Sequence, residues 1–449
     1  MKNEDCKKLI YELMDRLQSV IYSRNRAFGA LRLIFLKYAL DNYIGATSKE
    51  DMQQCVRAQK MFALRDIDNG IDTIIPVLQY IDKAYGFENI LSCTDNIDEY
   101  ARELFGIDRF RQKKNASEER FRSLMELVGS YDFEERNDQT IGKNLVDAMI
   151  DVIGSTFERN SFSGENVTNF SVSTLAKELL RVEQTDDFVD FTSGTGVSTL
   201  LITGDAQPSI SNVEIQGTSA AASAMLYIMY GYSKIRIAIG DSISNRIPDL
   251  QGNKLFVDPP LMSRVEKTDT NRYTDSSLAV LNRVMNDYLT TDGEAIVVLP
   301  SSALFQAKKQ TVELRKELVE RGLIKAVIAL PPMWYAASVN TNLLMISKKD
   351  APRSEVLFID ATKDVKGSGN KSRQATVLST EAIGKICKAV ELQEMIPGFS
   401  CLTHLEMIQK NDYNLVPTTY ISAPADEDTI TMEEVNAKLE ALYRQLMEK

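Results

Sequence analysis

The chain has 449 residues and a formal charge of −11, with 44% hydrophobic and 26% charged residues; this is room for two or three domains with well-buried cores. No apolar run approaches the ~20 residues that span a bilayer, and the polar start Met1-Lys2-Asn3-Glu4-Asp5-Cys6 lacks a signal-peptide stretch, so a cytoplasmic protein with no membrane partner is expected. Cys6, Cys55, Cys93, Cys387 and Cys401 form no CxxC pair and His404 is the single histidine, so no zinc site, disulfide framework or Ser-His or Cys-His nucleophile is expected.

Residues 1–165 read as helical. Leu31-Arg32-Leu33-Ile34-Phe35-Leu36-Lys37-Tyr38-Ala39-Leu40 is apolar enough for the centre of a bundle, and helical spacing recurs over 56–64, 70–85, 96–105, 117–129 and 141–156. From about 170 to 365, short apolar strands alternate with helices. Strands are expected at Phe188–Phe191, Ile210–Ile215, Ile235–Ile239, Leu255–Val257, Glu294–Leu299, Ile324–Leu330 and Leu343–Ser347. Helices are expected at Ser219–Tyr230, Leu278–Leu289 and Gln310–Arg321. That alternation predicts a mostly parallel, doubly wound sheet. Residues 380–449 mix helix and loop. Glu427–Lys449 carries Val435, Leu439, Leu442 and Leu446 at helical spacing, a stripe that suits its own core or a partner helix.

Four features in this alternating region can carry chemistry. Asp190-Phe191-Thr192-Ser193-Gly194-Thr195-Gly196 takes a strand into a glycine turn, where backbone can approach a ligand at the strand's carboxyl end; a structural turn explains the glycines equally. Glu214, 18 residues past Gly196, ends the next strand and can accept bonds from ribose hydroxyls; alone it is a surface carboxylate. Asp241, after the third strand, can bond an adenine amine or simply cap a turn. Phe256-Val257-Asp258-Pro259-Pro260-Leu261 runs a strand into two prolines. Asp258 and a backbone carbonyl can there converge on the two hydrogens of an exocyclic amine, positioning its lone pair; a rigid strand exit is the plainer alternative. A dinucleotide oxidoreductase fits poorly, because Gly194-Thr195-Gly196 lacks the later glycine of GxGxxG.

The order of these features resembles that of the modification subunits of type I restriction-modification systems, the N6-adenine DNA methylases. Leu33–Tyr38 is similar to that family's N-terminal signature. Asp190–Gly196 stands for its Asp-Pro-x-Cys-Gly-Ser-Gly loop, Val213-Glu214-Ile215 for its ribose-binding strand end, and Asp258-Pro259-Pro260-Leu261 for its Asn-Pro-Pro-aromatic motif. Leu299–Phe305, Arg315–Leu318, Ala326–Pro331, Asn342–Ile346, Tyr413-Asn414-Leu415 and Tyr420 follow in the family's order. The resemblance implies an α/β fold: a Rossmann-like doubly wound methyltransferase domain (166–375), preceded by a helical bundle domain (1–165) and followed by a helical, partner-contacting tail (376–449). It implies S-adenosyl-L-methionine held by Asp190, Thr192, Ser193, Gly194, Gly196, Glu214, Asp241 and Phe170, and catalysis by Asp258, Pro259, Pro260 and Leu261. It further implies direct attack of a flipped adenine N6 on the methyl group without a metal. DNA is the expected substrate, with a separate specificity subunit and a nuclease subunit as partners. The acidic balance suits that division, since phosphate contacts need Lys and Arg that a partner can supply.

Two departures stand out. Phe170-Ser171-Val172 takes the place of the family's Tyr-Thr-Pro. Leu261 replaces the aromatic that stacks on the flipped base, a contact worth ~1–3 kcal/mol, or ~10–100-fold in rate, with Trp334 or Tyr335 as substitutes. The alternative these departures leave is a weak or inactive methyltransferase-like scaffold in a modification or defence complex.

Overall fold

The computed structural model describes residues 1–17, 26–64, 74–92, 114–135, 140–159, 168–331, 333, 340–363 and 377–421. The helical spacing at 96–105, Trp334 and Tyr335, and the terminal stripe of 427–449 lie outside the described residues.

The N-terminal part is helical, as its spacing predicts: α1 Asn3–Leu17, α2 Arg26–Asp41, α3 Lys49–Phe62, α4 Ile74–Tyr85, α5 Lys114–Gly129 and α6 Ile141–Arg159. Helix α2 buries Leu31 through Leu40 save Arg32. A helix apolar all round belongs inside a bundle, and α1, α3, α5 and α6 pack on it. Helix α3 begins in a capping box, Ser48 accepting from the Asp51 amide and Asp51 from the Ser48 amide.

A nine-stranded sheet follows. Its strands are β1 Asp187–Asp190, β2 Ser209–Glu214, β3 Ile235–Ile239, β4 Gly252–Val257, β5 Leu289–Pro300, β6 Ile324–Ala329, β7 Thr341–Ser347, β8 Glu355–Asp360 and β9 Ser400–His404, in the spatial order β3-β2-β1-β4-β5-β7-β6-β8-β9. The first five are mutually parallel. Strand β7 slots between β5 and β6 antiparallel to both, β8 is parallel to β6, and β9 antiparallel to β8. Side chains of β4 and β5 alternate between two cores: Leu255, Val257, Ala295 and Val297 face one, Phe256, Ile296 and Val298 the other. Burial on both faces is why these strands read as continuous apolar runs. The helices on the sheet are α7 Phe170–Leu180, α8 Val197–Thr203, α9 Gly217–Tyr230, α10 Ser276–Arg283 (continued by a π-turn to Tyr288), α11 Ser301–Phe305, α12 Lys309–Glu320, α13 Thr380–Leu392 and α14 Leu405–Lys410.

Three differences from the sequence expectation have physical causes. Strand β9 lies in a stretch expected to be helix and loop; Ser-Cys-Leu-Thr-His has little β pattern of its own and is recruited by pairing with β8. The helix expected over Leu278–Leu289 stops being α-helical at Arg283. The helical layer also shares its core with the sheet's first helices: Ile34, Leu145 and Met149 cluster with Leu200, Ala224 and Ile228. Helix α9 is therefore held between β2 and β3 on one side and α2 and α6 on the other.

The closest approach in that layer is at Gly142, where an added Cβ would sit 2.2 Å from the Met229 carbonyl and 2.8 Å from the Tyr38 hydroxyl. Gly142→Ala is expected to cost about 1–3 kcal/mol by overpacking, read as a fall of the thermal midpoint.

Candidate active site

Because β1 to β4 are parallel, the loops that follow them all open at one edge of the sheet, where ligands of such folds bind. They line a single cleft of about 560 Å³, within the range of small-molecule sites. The loop after β1 supplies Thr192 to Thr195, β2 ends in Glu214, β3 is followed by Asp241, and β4 by Asp258-Pro259-Pro260-Leu261. Thus the four features picked from the sequence converge.

Gly194 and Gly196 serve different ends. Both lie in the left-handed region, at φ +52° and +78°. A Cβ on Gly194 would meet nothing within 4 Å, whereas one on Gly196 would lie 2.3 Å from the Tyr227 hydroxyl and 2.6 Å from Ser223 Cβ. Gly194 therefore keeps the cleft open, and Gly196 lets α9 pack against the loop. Asp190 is not in the cleft lining: it lies beneath the loop, 2% exposed, accepting the Thr192 amide at 3.0 Å and the Thr199 hydroxyl at 3.3 Å. Burial pushes its carboxyl up to about 7 against those bonds.

Glu214 is more than a surface carboxylate. Its Oε2 accepts the Gly194 amide at 2.8 Å and its Oε1 the Gln216 amide at 2.9 Å, so one side chain braces the glycine loop while keeping further acceptor capacity. Asp241 does cap a turn, its Oδ1 taking the Ile243 and Ser244 amides at 3.1 and 2.9 Å; its Oδ2 accepts nothing among the described residues. Arg283 and Tyr288, from the helix before β5, hold this loop. The buried Arg283 guanidinium donates to the carbonyls of Ile243 (3.2 Å) and Ser244 (3.0 Å) and to Asp287 (2.8 Å). The Tyr288 hydroxyl donates to the Ser242 carbonyl at 3.0 Å, and its ring meets Phe191 edge-on at 4.8 Å. Ser242 in turn bonds the Phe191 carbonyl, tying the β3 loop to the β1 loop.

Asp258 Oδ2 accepts the Thr168 hydroxyl at 2.7 Å. Burial pushes its carboxyl up to about 6, with the Thr168 bond acting the other way. The Pro260 carbonyl is occupied by Ser263 and Ser276 at 2.9 and 3.1 Å, which pins the turn. Asp258 Oδ1 and the Pro259 carbonyl accept nothing among the described residues, leaving acceptors on two successive residues that line the cleft.

Phe170 is not brought to the cleft. It opens α7 and packs against the core shared with the helical layer, while Thr168, two residues earlier, lines the cleft instead. Sequence reading named Ile215, 64% exposed, only within the Val213-Glu214-Ile215 strand end and missed Ile243; the two are apolar walls beside Glu214 and Asp241. The signal for Thr168 was present: Asn169 caps α7 through the Ser171 amide at 3.0 Å, and a capping residue just before an apolar run marks where a helix begins. Among the described residues no group of His, Cys, Asp and Glu suits a metal, and no helix is long and apolar enough to cross a membrane.

The glycine pair gives a contrast. Gly194→Arg is expected to cost about 1–2 kcal/mol for its left-handed backbone and to abolish ligand binding in the cleft by filling it, read by calorimetry. Gly196→Ala is expected to cost more stability, since Tyr227 must move.

The comparisons with known proteins agree with this geometry. The N-6 DNA Methylase family model matches residues 145–429, more than half of the chain. The type I restriction enzyme MjaVIII methylase subunit of Methanocaldococcus jannaschii is 26% identical over 81% of this chain and 68% of that protein. The MpnII methylase subunit of Mycoplasma pneumoniae is 23% identical over 72% and 65%. The crystal structure of the type I restriction-modification methyltransferase subunit from Streptococcus thermophilus superposes with a TM-score of 0.75 at 18% identity, over 94% of this chain and all of that one. With strand order, cleft and family model in agreement, the chain belongs to the N-6 DNA methylase family.

Proposed function

We propose that this adenine-specific DNA methyltransferase positions its target amine with Asp258 and Pro259, holds its cofactor with Gly194, Glu214 and Asp241, and is the modification subunit of a type I restriction-modification system. One observation carries the residue assignment: the β1 loop, Glu214, Asp241 and Asp258-Pro259-Pro260 line a single cleft in strand order. The domain division proposed is a helical layer, 1–165, and a catalytic unit from 166 that runs past 375 to include β9, with 376–449 otherwise contacting partners.

S-adenosylmethionine supplies an activated methyl group on a sulfonium. The cleft fits such a molecule: Gly194 leaves the space a Cβ would fill, and Glu214, Asp241, Asp258 and Glu266 give it an acidic lining suited to a cation. In this reading Glu214 takes the ribose hydroxyls, Asp241 Oδ2 the adenine amine of the cofactor, and Ile215 and Ile243 pack against its purine. Thr192 and Ser193 shape the loop, and Asp190 supports it from beneath. Thr168 is the positioning residue that takes the part expected of Phe170. An adenine turned out of the duplex, at a cost of a few kcal/mol, donates its two N6 hydrogens to Asp258 Oδ1 and the Pro259 carbonyl. That arrangement aims the nitrogen lone pair and stabilises the positive charge that grows on the amine. Leu261 packs on the base without an aromatic stack. DNA sequence is read by a separate specificity subunit, in keeping with the lack of a recognition insert between the sequence features, and a nuclease subunit completes the system.

The test is transfer of labelled methyl from S-adenosylmethionine to adenine in DNA by the chain assembled with its specificity partner. Cofactor binding without transfer would overturn the catalytic assignment in favour of a scaffold. Ionised Asp258 is the acceptor, and its carboxyl titrates at about 6. The rate is therefore expected to be full above that pH and to fall as pH drops through it; Asp258→Asn removes this limb, and Thr168→Val moves it to higher pH, read from kcat/KM against pH. Leu261→Phe is expected to raise kcat/KM for DNA about 10–100-fold by restoring base stacking, measured from initial rates.

A further inference from the structure

Among the described residues lining the cleft, Arg264 is the one cation, set against Glu214, Asp241, Asp258 and Glu266. It is exposed, and no carboxylate or hydrogen-bond acceptor engages its guanidinium among the described residues. An unpartnered guanidinium at an acidic cleft is placed to take an anion from outside.

Its backbone is held firmly. Residues 263–276 fold into a small hairpin in which Arg264 bridges Asp275, the Val265 amide donates to the Thr274 carbonyl at 3.1 Å, and Ser276 to Ser263 at 3.2 Å. Buried Asn271 fills the turn, donating to the carbonyls of Glu266 and Tyr273 at 2.6 and 2.9 Å. The hairpin is fastened to the β3 loop: the Thr268 hydroxyl bonds the Ser244 carbonyl at 2.6 Å, and Arg283 reaches both that carbonyl and the Thr270 hydroxyl, each at 3.0 Å. Arg264 thus hangs from a fixed flap three residues beyond Leu261, at the rim of the same cleft.

Resting on the proposed methyltransferase reading, we infer that Arg264 grips a phosphate flanking the flipped adenine. A flipped base enters the cleft while its phosphates stay at the mouth. The guanidinium, solvent-facing and three residues past the base-contacting turn, suits that position better than it suits an anion enclosed with the cofactor. The planar fork binds phosphate oxygens in pairs, and holding the backbone there keeps the base from swinging back into the stack.

The test uses the chain assembled with its specificity partner and a DNA fragment that the assembly methylates. Arg264→Gln is expected to raise the KM for DNA about tenfold and to lower the slope of log KM against log salt by about 0.9, the loss of one phosphate contact, with S-adenosylmethionine affinity unchanged in calorimetry. Arg264→Lys should keep the salt slope. A neutral methylphosphonate beside the target adenine should weaken the native enzyme to the same degree and leave Arg264→Gln unaffected. An unchanged KM and slope, or a loss of cofactor affinity in their place, overturns the inference. Failure of the native assembly to methylate DNA sinks the functional reading instead, so the two failures are distinct.

Discussion

The parallel run β3-β2-β1-β4-β5 is the constraint on which the site rests. Parallel pairing requires every connection to cross back over the sheet, through α8, α9 and α10 after β1, β2 and β4 and through an irregular segment after β3, so each strand ends at the same edge and each ending is free to become a loop. Four endings then meet, the last of them carrying the hairpin of residues 263–276. The chemistry is distributed over residues about 90 positions apart, such as Thr168 and Asp258, and only the sheet puts them within hydrogen-bond reach. The cost of ordering these loops is offset by the two-sided burial of strands such as β4 and β5.

Around that edge the walls are fixed from behind. Glu214 braces the glycine turn while remaining able to accept more bonds, and Arg283 gathers the β3 loop and the hairpin after β4 with one buried guanidinium. A charge with 1% exposure is tolerated because Asp287 and three neutral oxygens satisfy it. Sites assembled in this way keep their geometry before the ligand arrives, which is what preorganised electrostatic stabilisation requires.

How much of this was legible beforehand depended on range. Short apolar strands alternating with helices announced the doubly wound sheet, because each strand is buried on both faces. The glycine turn, Glu214, Asp241 and Asp258 were legible as strand endings. What stayed hidden depends on contacts between distant segments. Strand β9 exists through its pairing with β8, and the antiparallel placement of β7 between β5 and β6 has no local mark. Thr168 was not singled out because the resemblance pointed to Phe170-Ser171-Val172, and no spacing rule points from Thr168 to a carboxylate in β4's loop. For Gly196 the sequence left approach to a ligand and a structural turn equally open, and the structure shows close approach of a helix.

That last feature reaches beyond the loop. The hydroxyl of Tyr227 lies against Gly196 and donates to its carbonyl at 3.3 Å, and Tyr227 belongs to a helix whose other side is the wall of the N-terminal helices. Helix α9 therefore joins the two halves of the protein, Tyr227 meeting the glycine turn and the Met229 carbonyl approaching Gly142 of the helical layer. The support of the glycine turn and the wall of the helical layer are thus two sides of one helix.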